Sequence, residues 1–374
     1  MRRIVNGLVV GAFAAIIAAP SLATLFGTDG GDAYAENRTL ATFPAVSLRW
    51  ADATAFLPGL DTWFADHFAF RANLVRWQAI TRYFWLGVSP TPIVGVGDHG
   101  WLAYIEDGGL EDFTNESLLS ESELQNWRRL VVRARDWCKA RGIAYVFTIA
   151  PSKAMIYPEY FPRTARRVNR MSRTDQILTA VSDLGVAVDV RQALMEEKTH
   201  VRVFQKTDTH WNPHGAYIAY RTIIDAARLQ VPSIPPPKEL SEFDQVTLRA
   251  PGMDLAGMMG LKRVLGEEDL RLVPKQPRQY VVVEPKGNIV EAGEWRIVTE
   301  IPGSTLPRAV VFRDSFASAV APFLSEHFSR VVYLWQNDFA IDEVEREHPD
   351  IVLQEIVSRH VQWFTPTPEL VPVP

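Results

Sequence analysis

The chain has 374 residues, 47% hydrophobic and 22% charged, with 11 tryptophans and 19 phenylalanines, enough to bury one large domain or two modest ones. Its formal charge of -5 is spread over a mixed sequence with no basic stripe, which excludes the electrostatic footprint of a nucleic-acid partner. The single cysteine, Cys138, rules out an intrachain disulfide and sits in a helical pattern where it reads as packing.

Met1-Arg-Arg3 precedes an apolar run over 4–26, interrupted by Asn6, Pro20, Ser21 and Thr24. A basic start followed by such a run is a secretory signal or a membrane anchor. Ser21-Leu-Ala23 offers a small-residue cleavage site, while a run of roughly 20 residues also suffices to span a bilayer. With the arginines ahead of the span, an uncleaved helix would leave the bulk of the chain outside the cytoplasm.

The segment 35–118 is aromatic-rich and irregular, and is expected to pack on the domain that follows. One helix is predicted there over 60–83, with Phe64, Phe68, Leu74, Trp77 and Ile80 as its stripe. Gly97-Asp-His-Gly-Trp-Leu102 reads as a turn entering a strand. An amphipathic helix follows over 122–141, with Leu124, Trp127, Leu130, Val131, Ala134 and Cys138 on one face and Gly142 placed to end it. The apolar run 143–150 suits a buried parallel strand.

A helix over 172–184, a strand over 186–190 and a helix over 191–197 come next. Asn212 as cap and Pro213 at the first helical position start a helix running to about 229. Four prolines make 231–238 a stiff linker, and 231–303 reads as an insertion with one or two strands, such as 280–283. A strand over 309–312, a helix over 315–326, a strand over 331–335, a helix near Ile341 and a strand over 351–356 complete the series. The Pro-rich tail 363–374 is expected to lie extended. This alternation predicts an α/β fold, a mostly parallel sheet with helices on both faces, whose ligands bind at the carboxyl ends of the strands.

Two segments at such strand ends carry chemistry. Asp208 and His210 precede the helix start at Asn212, and Ser315 stands where a strand pattern gives way to a helical one. A serine nucleophile, a histidine base and an acid that orients it are the parts of an acyl-transfer site, in whatever chain order they occur. At a helix N-terminus Ser315 could hold an oxyanion with its own amide; equally, Asp314 or Ser315 could be a simple N-cap. No glycine-flanked nucleophile elbow accompanies it.

His210 and His214 lie four apart, with Asp208 near and His200 further off. However, Pro213 places the helix start between the two histidines and no Glu-x-x-His pattern occurs, so neither a metal nor a cofactor is expected. Lys153, Tyr157, Trp211 and Arg313 lie near these turns as candidate substrate contacts, with packing the competing reading. The turn holding Gln336 and Asn337 is a candidate source of oxyanion donors.

Together these residues resemble the alginate O-acetyltransferase AlgJ/AlgX family. The resemblance rests on Asp208-Thr-His-Trp211 followed by Asp314-Ser-Phe316. Glu36-Asn-Arg38 with Phe43-Pro44, Asp66-His-Phe68 with Arg71, Gly100-Trp-Leu102, Ala150-Pro-Ser-Lys153 with Ile156-Tyr-Pro158, and Pro349-Asp-Ile-Val352 support it. It implies an SGNH-hydrolase-like catalytic domain, 119–362, in circularly permuted motif order, with Ser315 as nucleophile, His210 as base and acid, and Asp208 as orienter.

By the same resemblance the chain is an exported, periplasmic polysaccharide O-acetyltransferase, either soluble after signal cleavage or anchored in the inner membrane by residues 4–26. Its partners are a polysaccharide acceptor, a membrane-bound O-acyltransferase as acetyl donor, and a polysaccharide export or modification complex. A carbohydrate acetylesterase and a degenerate glycan-binding export factor are the competing readings. Two departures stand out: Arg313 occupies a position where many members have glycine, and Ser152 replaces an asparagine before Lys153. With no length left for a carbohydrate-binding module, polymer grip is expected from a partner.

Overall fold

The computed structural model describes residues 2–25, 40–45, 50–285 and 295–373; the Glu36-Asn-Arg38 motif lies outside them. The chain divides into two compact units, Met1–Thr91 with Ala256–Lys262, and Pro92–Leu255 with Arg263–Pro374.

In the smaller unit, helix Arg2–Leu25 is long and apolar enough to cross a membrane. The helix predicted over 60–83 is in fact two, Trp50–His67 and Arg71–Ile80, the second running on into a wide turn, Thr81–Trp85. The break falls at Phe70, whose left-handed backbone (φ 68°) is costly for a residue with a Cβ. Its neighbours hold the corner. Asp66 Oδ2 accepts the Ala41 N–H at 2.8 Å, and Arg71 Nε donates to the Ala65 carbonyl at 2.6 Å. The predicted stripe is therefore split, and Leu74 and Trp77 face outward.

Among the described residues the larger unit carries all the strands: β1 Val94–Val96, β2 Leu102–Tyr104, β3 Ala144–Ala150, β4 Ala187–Val188, β5 Phe243–Pro251, β6 Gly266–Pro274, β7 Val281–Glu284, β8 Arg296–Glu300, β9 Arg308–Arg313, β10 Arg330–Trp335 and β11 Ile351–Val357. Seven form one sheet in the order β4-β3-β11-β9-β10-β8-β7. The first five run parallel, and β8 and β7 add an antiparallel edge.

Side chains alternate across this sheet with the period of two that a pleated strand imposes. Ala309, Val311, Val331, Tyr333, Ile351 and Leu353 join one core, packed with helix Pro213–Gln230 and helix Phe316–Leu324. Val310, Phe312, Val332, Leu334 and Val352 join the other, packed with helix Glu121–Ala140. Helices thus cover both faces, as predicted, and the near-continuous apolar strands follow from burial on both sides. Cys138 is buried in the second core, where burial pushes its thiol up to about 12.

Local chemistry sets the helix starts. Ser120 and Glu123 form a reciprocal capping box that starts the helix at Glu121, one residue before the predicted start, and Ser172 and Asp175 form another. Asn212 caps Pro213–Gln230 by accepting from the Gly215 N–H at 2.8 Å. Gly142 takes the left-handed backbone that follows the first of these helices.

Three expectations need correction. The helix over 172–184 ends at Ala180, where Val181 leaves helical geometry (φ -113°, ψ 5°); a separate turn, Ser182–Leu184, follows and ends at Gly185 with φ 69°. The strand over 186–190 shrinks to Ala187–Val188, an edge strand paired only with β3. The region 231–303 is more than an insertion with one or two strands: β5 and β6 form a long antiparallel hairpin, and β7 and β8 extend the main sheet.

Loss of one capping box should cost about 1 kcal/mol. Ser120→Ala, followed by urea unfolding, is expected to lower the midpoint by that equivalent with an unchanged slope; no change would show that Ser120 does not hold the helix start.

Candidate active site

Parallel strands that share a direction bring their carboxyl ends to one edge. There β3 leads into Pro151-Ser-Lys153, β9 into Asp314-Ser315, and β11 into Ser358-Arg359-His360. The loop 205–210 is closed at its base by an antiparallel bridge between Phe204 and Trp211, with the Asn212 N–H donating to the Val203 carbonyl at 3.0 Å.

Within that loop Asp208 Oδ1 accepts both the backbone N–H of His210 at 2.9 Å and its ring Nδ1–H at 2.7 Å. The first contact is an Asx turn that folds the chain back, and the second fixes the imidazole tautomer. The far nitrogen, Nε2, lies 2.8 Å from Ser315 Oγ. Ser315 occupies the residue before helix Phe316–Leu324, and its side chain makes no cap bond. Asp314 takes the capping work instead, accepting the Phe316 N–H at 2.9 Å through Oδ1 and the Val357 N–H at 2.6 Å through Oδ2. Of the two N-cap candidates, then, Asp314 caps and Ser315 keeps its hydroxyl for the histidine.

Residues 94–292 match the family model for the SGNH hydrolase-like domain, acetyltransferase AlgX. The chain belongs to this family. The matched stretch includes Asp208 and His210 and stops short of Ser315. The protein named "Probable alginate O-acetylase AlgJ" from Pseudomonas aeruginosa is 30% identical over 129 residues, 33% of this chain and 30% of its own length. Its namesake from Pseudomonas syringae pv. tomato is 27% identical over 196 residues, 52% of this chain and 46% of its own length. The chain thus spans less than half the length of these curated relatives. Among solved structures, Bacillus cereus PatB1 with a sulfonyl adduct superposes with a TM-score of 0.53 at 17% identity, covering 72% of this chain and 97% of PatB1. A DHHW family protein from Eubacterium siraeum gives 0.51 at 16% identity, covering 72% and 95%. Both share the fold.

In this AlgX-family chain the candidate substrate contacts turn out to be mostly internal. Lys153 is buried, and its ammonium donates to the carbonyls of Gln205 at 3.1 Å, Lys206 at 3.0 Å and Asp208 at 2.5 Å. All three protons of a lysine are thereby used on the loop that carries Asp208 and His210. Trp211 is also buried; its Nε1 donates to the Phe316 carbonyl at 3.1 Å and ties the histidine loop to the serine helix. Tyr157 OH accepts the Val203 N–H at 3.0 Å. Arg313 is buried, stacks over Trp335 at 4.5 Å and donates to Ser318 Oγ at 3.0 Å. All four thus bond to the surrounding protein, and Lys153 and Tyr157 also line the cleft beside the site.

Gln336 and Asn337 follow β10, whose Trp335 pairs with Arg313. The Gln336 N–H donates to the Leu334 carbonyl, and one proton of its side-chain amide goes to the Asp338 carbonyl. The Asn337 carbonyl accepts from Gln354. His214, on helix Pro213–Gln230, bonds Glu197 through Nε2 at 2.7 Å. A cleft beside the site is lined by Trp101, Tyr104, Lys153, Tyr157, Tyr160, Thr209 and Arg359, among others.

Several neighbours carry no sequence signal of their own. Asp254 accepts from the Thr209 N–H at 2.9 Å and Thr209 Oγ at 2.6 Å, and its Oδ2 lies 4.0 Å from His210 Nδ1. Asp208, His210 and Asp254 are grouped closely enough to ligate a cation, their candidate ligand atoms lying within 4.8 Å of one another. Glu267, on β6, accepts from the Lys206 N–H, the Thr207 N–H and Thr207 Oγ, and pairs with Arg202. Its alternation with Asp269 on the inward face of β6 is the one pattern that could have flagged it.

The charges follow from burial. Burial by itself pushes the Asp208 carboxyl up, but the hydrogen bond and charge of His210, with Lys153, outweigh it and hold Asp208 below the usual range. Burial and the Asp208 charge raise Asp254. Burial, then the neighbouring Asp314, raises Glu355 well above the carboxylate range. Burial lowers Lys153 from the usual 10.5 to about 8, against the pull of Asp254, Asp208 and Glu267.

A lysine whose pKa falls on folding leaves the unfolded chain holding more protons between about 8 and 10.5, so stability rises with pH across that window. Urea unfolding through this range should show the rise in the parent chain relative to Lys153→Met. Parallel pH curves for the two would overturn the buried-amine account.

Proposed function

We propose that the chain is an exported polysaccharide O-acetyltransferase working through an acetyl-Ser315 intermediate. The observation that carries the reading is the continuous relay from Asp208 Oδ1 through His210 to Ser315 Oγ, with contacts of 2.7 and 2.8 Å. Family membership and the names of the AlgJ relatives support acetyl transfer to a polysaccharide, alginate in those relatives, as the reaction.

In the proposed cycle His210 Nε2 takes the Ser315 proton as Oγ attacks the acetyl carbonyl of the donor. The tetrahedral oxyanion forms over the N-terminus of helix Phe316–Leu324, where the Ser315 amide and the helix dipole favour negative charge. Collapse expels the donor's leaving group, which takes the proton from His210, and leaves acetyl-Ser315. A sugar hydroxyl then gives its proton to His210 and attacks the ester, and the same proton returns to Ser315 Oγ as the acetylated sugar departs. Asp208 stabilises the imidazolium at each stage. The donor is proposed to be a membrane-bound O-acyltransferase, the acceptor an exopolysaccharide seated in the cleft at Trp101, Tyr160 and Arg359. Helix Arg2–Leu25, preceded by Met1 and beginning at Arg2 and Arg3, supports export, with the remainder of the chain in the periplasm.

The test is turnover of a chromogenic acetyl ester with and without an acceptor oligosaccharide. Acetylated oligosaccharide is expected; acetate alone would make the protein an esterase. Ser315→Ala and His210→Asn should each lower the rate by about 10³-fold or more, as removal of a triad member does. An unchanged rate in Ser315→Ala would remove the proposed nucleophile.

A further inference from the structure

The last turn of helix Arg2–Leu25 is tied to the corner of the smaller unit: Thr24 Oγ1 donates to the Pro20 carbonyl at 2.8 Å and accepts the Ala69 N–H at 2.7 Å. From that corner the chain enters helix Arg71–Ile80 and the turn Thr81–Trp85. Phe70, Leu74, Trp77 and Phe84 recur at helical spacing and form one stripe, with Trp85 and Leu86 at its end. Trp77, Phe84, Trp85 and Leu86 are each more than half exposed, Trp85 by 84%.

An exposed stripe of this size calls for a cover. Charge says which. From Phe68 to Gly97 the chain has three arginines, Arg71, Arg76 and Arg82, and no acidic residue, although the whole chain is at -5. Tryptophans beside arginines, with no carboxylate, match the headgroup level of a bilayer containing anionic lipid, where indole rings settle and basic side chains reach phosphate. A helix of 24 residues spans about 36 Å, enough to cross a hydrocarbon core of about 30 Å and emerge near this corner.

We infer that the segment 70–86 is a second membrane contact, lying in the outer face of the same bilayer that helix Arg2–Leu25 crosses, with its aromatic stripe in the interface and Arg76 and Arg82 on lipid phosphates. This goes beyond the acetyl-transfer reading and does not depend on it. It does depend on the first helix residing in the membrane.

The full chain, in a Cys138→Ala background, is reconstituted in vesicles of phosphatidylethanolamine and phosphatidylglycerol. Spin labels are placed at Trp85→Cys, at Val10→Cys within the apolar helix, and at Leu229→Cys, an exposed position of the larger unit. Collisions with a water-soluble nickel chelate at 85 should fall severalfold below those at 229 and approach those at 10, while collisions with dissolved oxygen rise. The protection at 85 should weaken in phosphatidylcholine vesicles. Equal chelate access at 85 and 229, with 10 protected, would overturn the inference. So would protection at 85 that appears only when native membrane proteins are present, since that outcome assigns the stripe to a protein partner.

Discussion

A buried ammonium organises the site. Lys153 lies beneath the 205–210 loop with its three N–H bonds on three consecutive-turn carbonyls. Burying an ammonium costs several kcal/mol, and only complete hydrogen bonding together with nearby carboxylates makes it tolerable. Asp208, Asp254 and Glu267 supply that negative charge. The arrangement works in both directions: the loop's carbonyls solvate the lysine, and the lysine keeps the loop in the one conformation that aims His210 at Ser315. Because neither side is satisfied alone, the loop has little freedom to drift.

The rest of the architecture braces this loop from different quarters. The Phe204–Trp211 bridge closes its base, the Asn212 cap starts the helix after it, and Glu267 on β6 accepts the amides of Lys206 and Thr207. Trp211 reaches across to the Phe316 carbonyl, so the histidine loop and the serine helix are tied by a hydrogen bond separate from the His210–Ser315 contact. On the serine side, Asp314 does the capping and also accepts the Val357 N–H, which joins the ends of β9 and β11. The sheet thus acts as a rigid base, and its parallel strands deliver three chain segments to one edge.

Much of this could be read from residue order. The alternation of apolar strands and amphipathic helices, the caps at Asn212 and Ser172, and Asp208, His210 and Ser315 all carry short-range signals: periodicity of two or 3.6, a capping side chain, a proline at a first helical turn. Asp208 two residues before His210 was legible as an orienter because an Asx turn is a local structure. Lys153 was visible as a candidate, but its bonds to the 205–210 loop were not, since a lysine after a strand looks the same whether it faces a ligand or a carbonyl cage. The burial of Trp211 and Arg313 was hidden for the same reason, being a property of what lies across from them. The single helix over 60–83 failed at Phe70, where no glycine marks the left-handed turn.

Sequence alone determined the class of fold, the apolar N-terminal run and the three residues of the proposed relay, because those depend on neighbours within a few positions. Only the tertiary structure decided that β11, last in the chain, lies between β3 and β9, and that β6 turns its carboxylates toward the histidine loop. Those are choices of partner between segments up to about two hundred residues apart. Hydrophobic patterning says which face of a strand is buried but not which strand lies beside it, so that pairing is settled by the packing of the whole core.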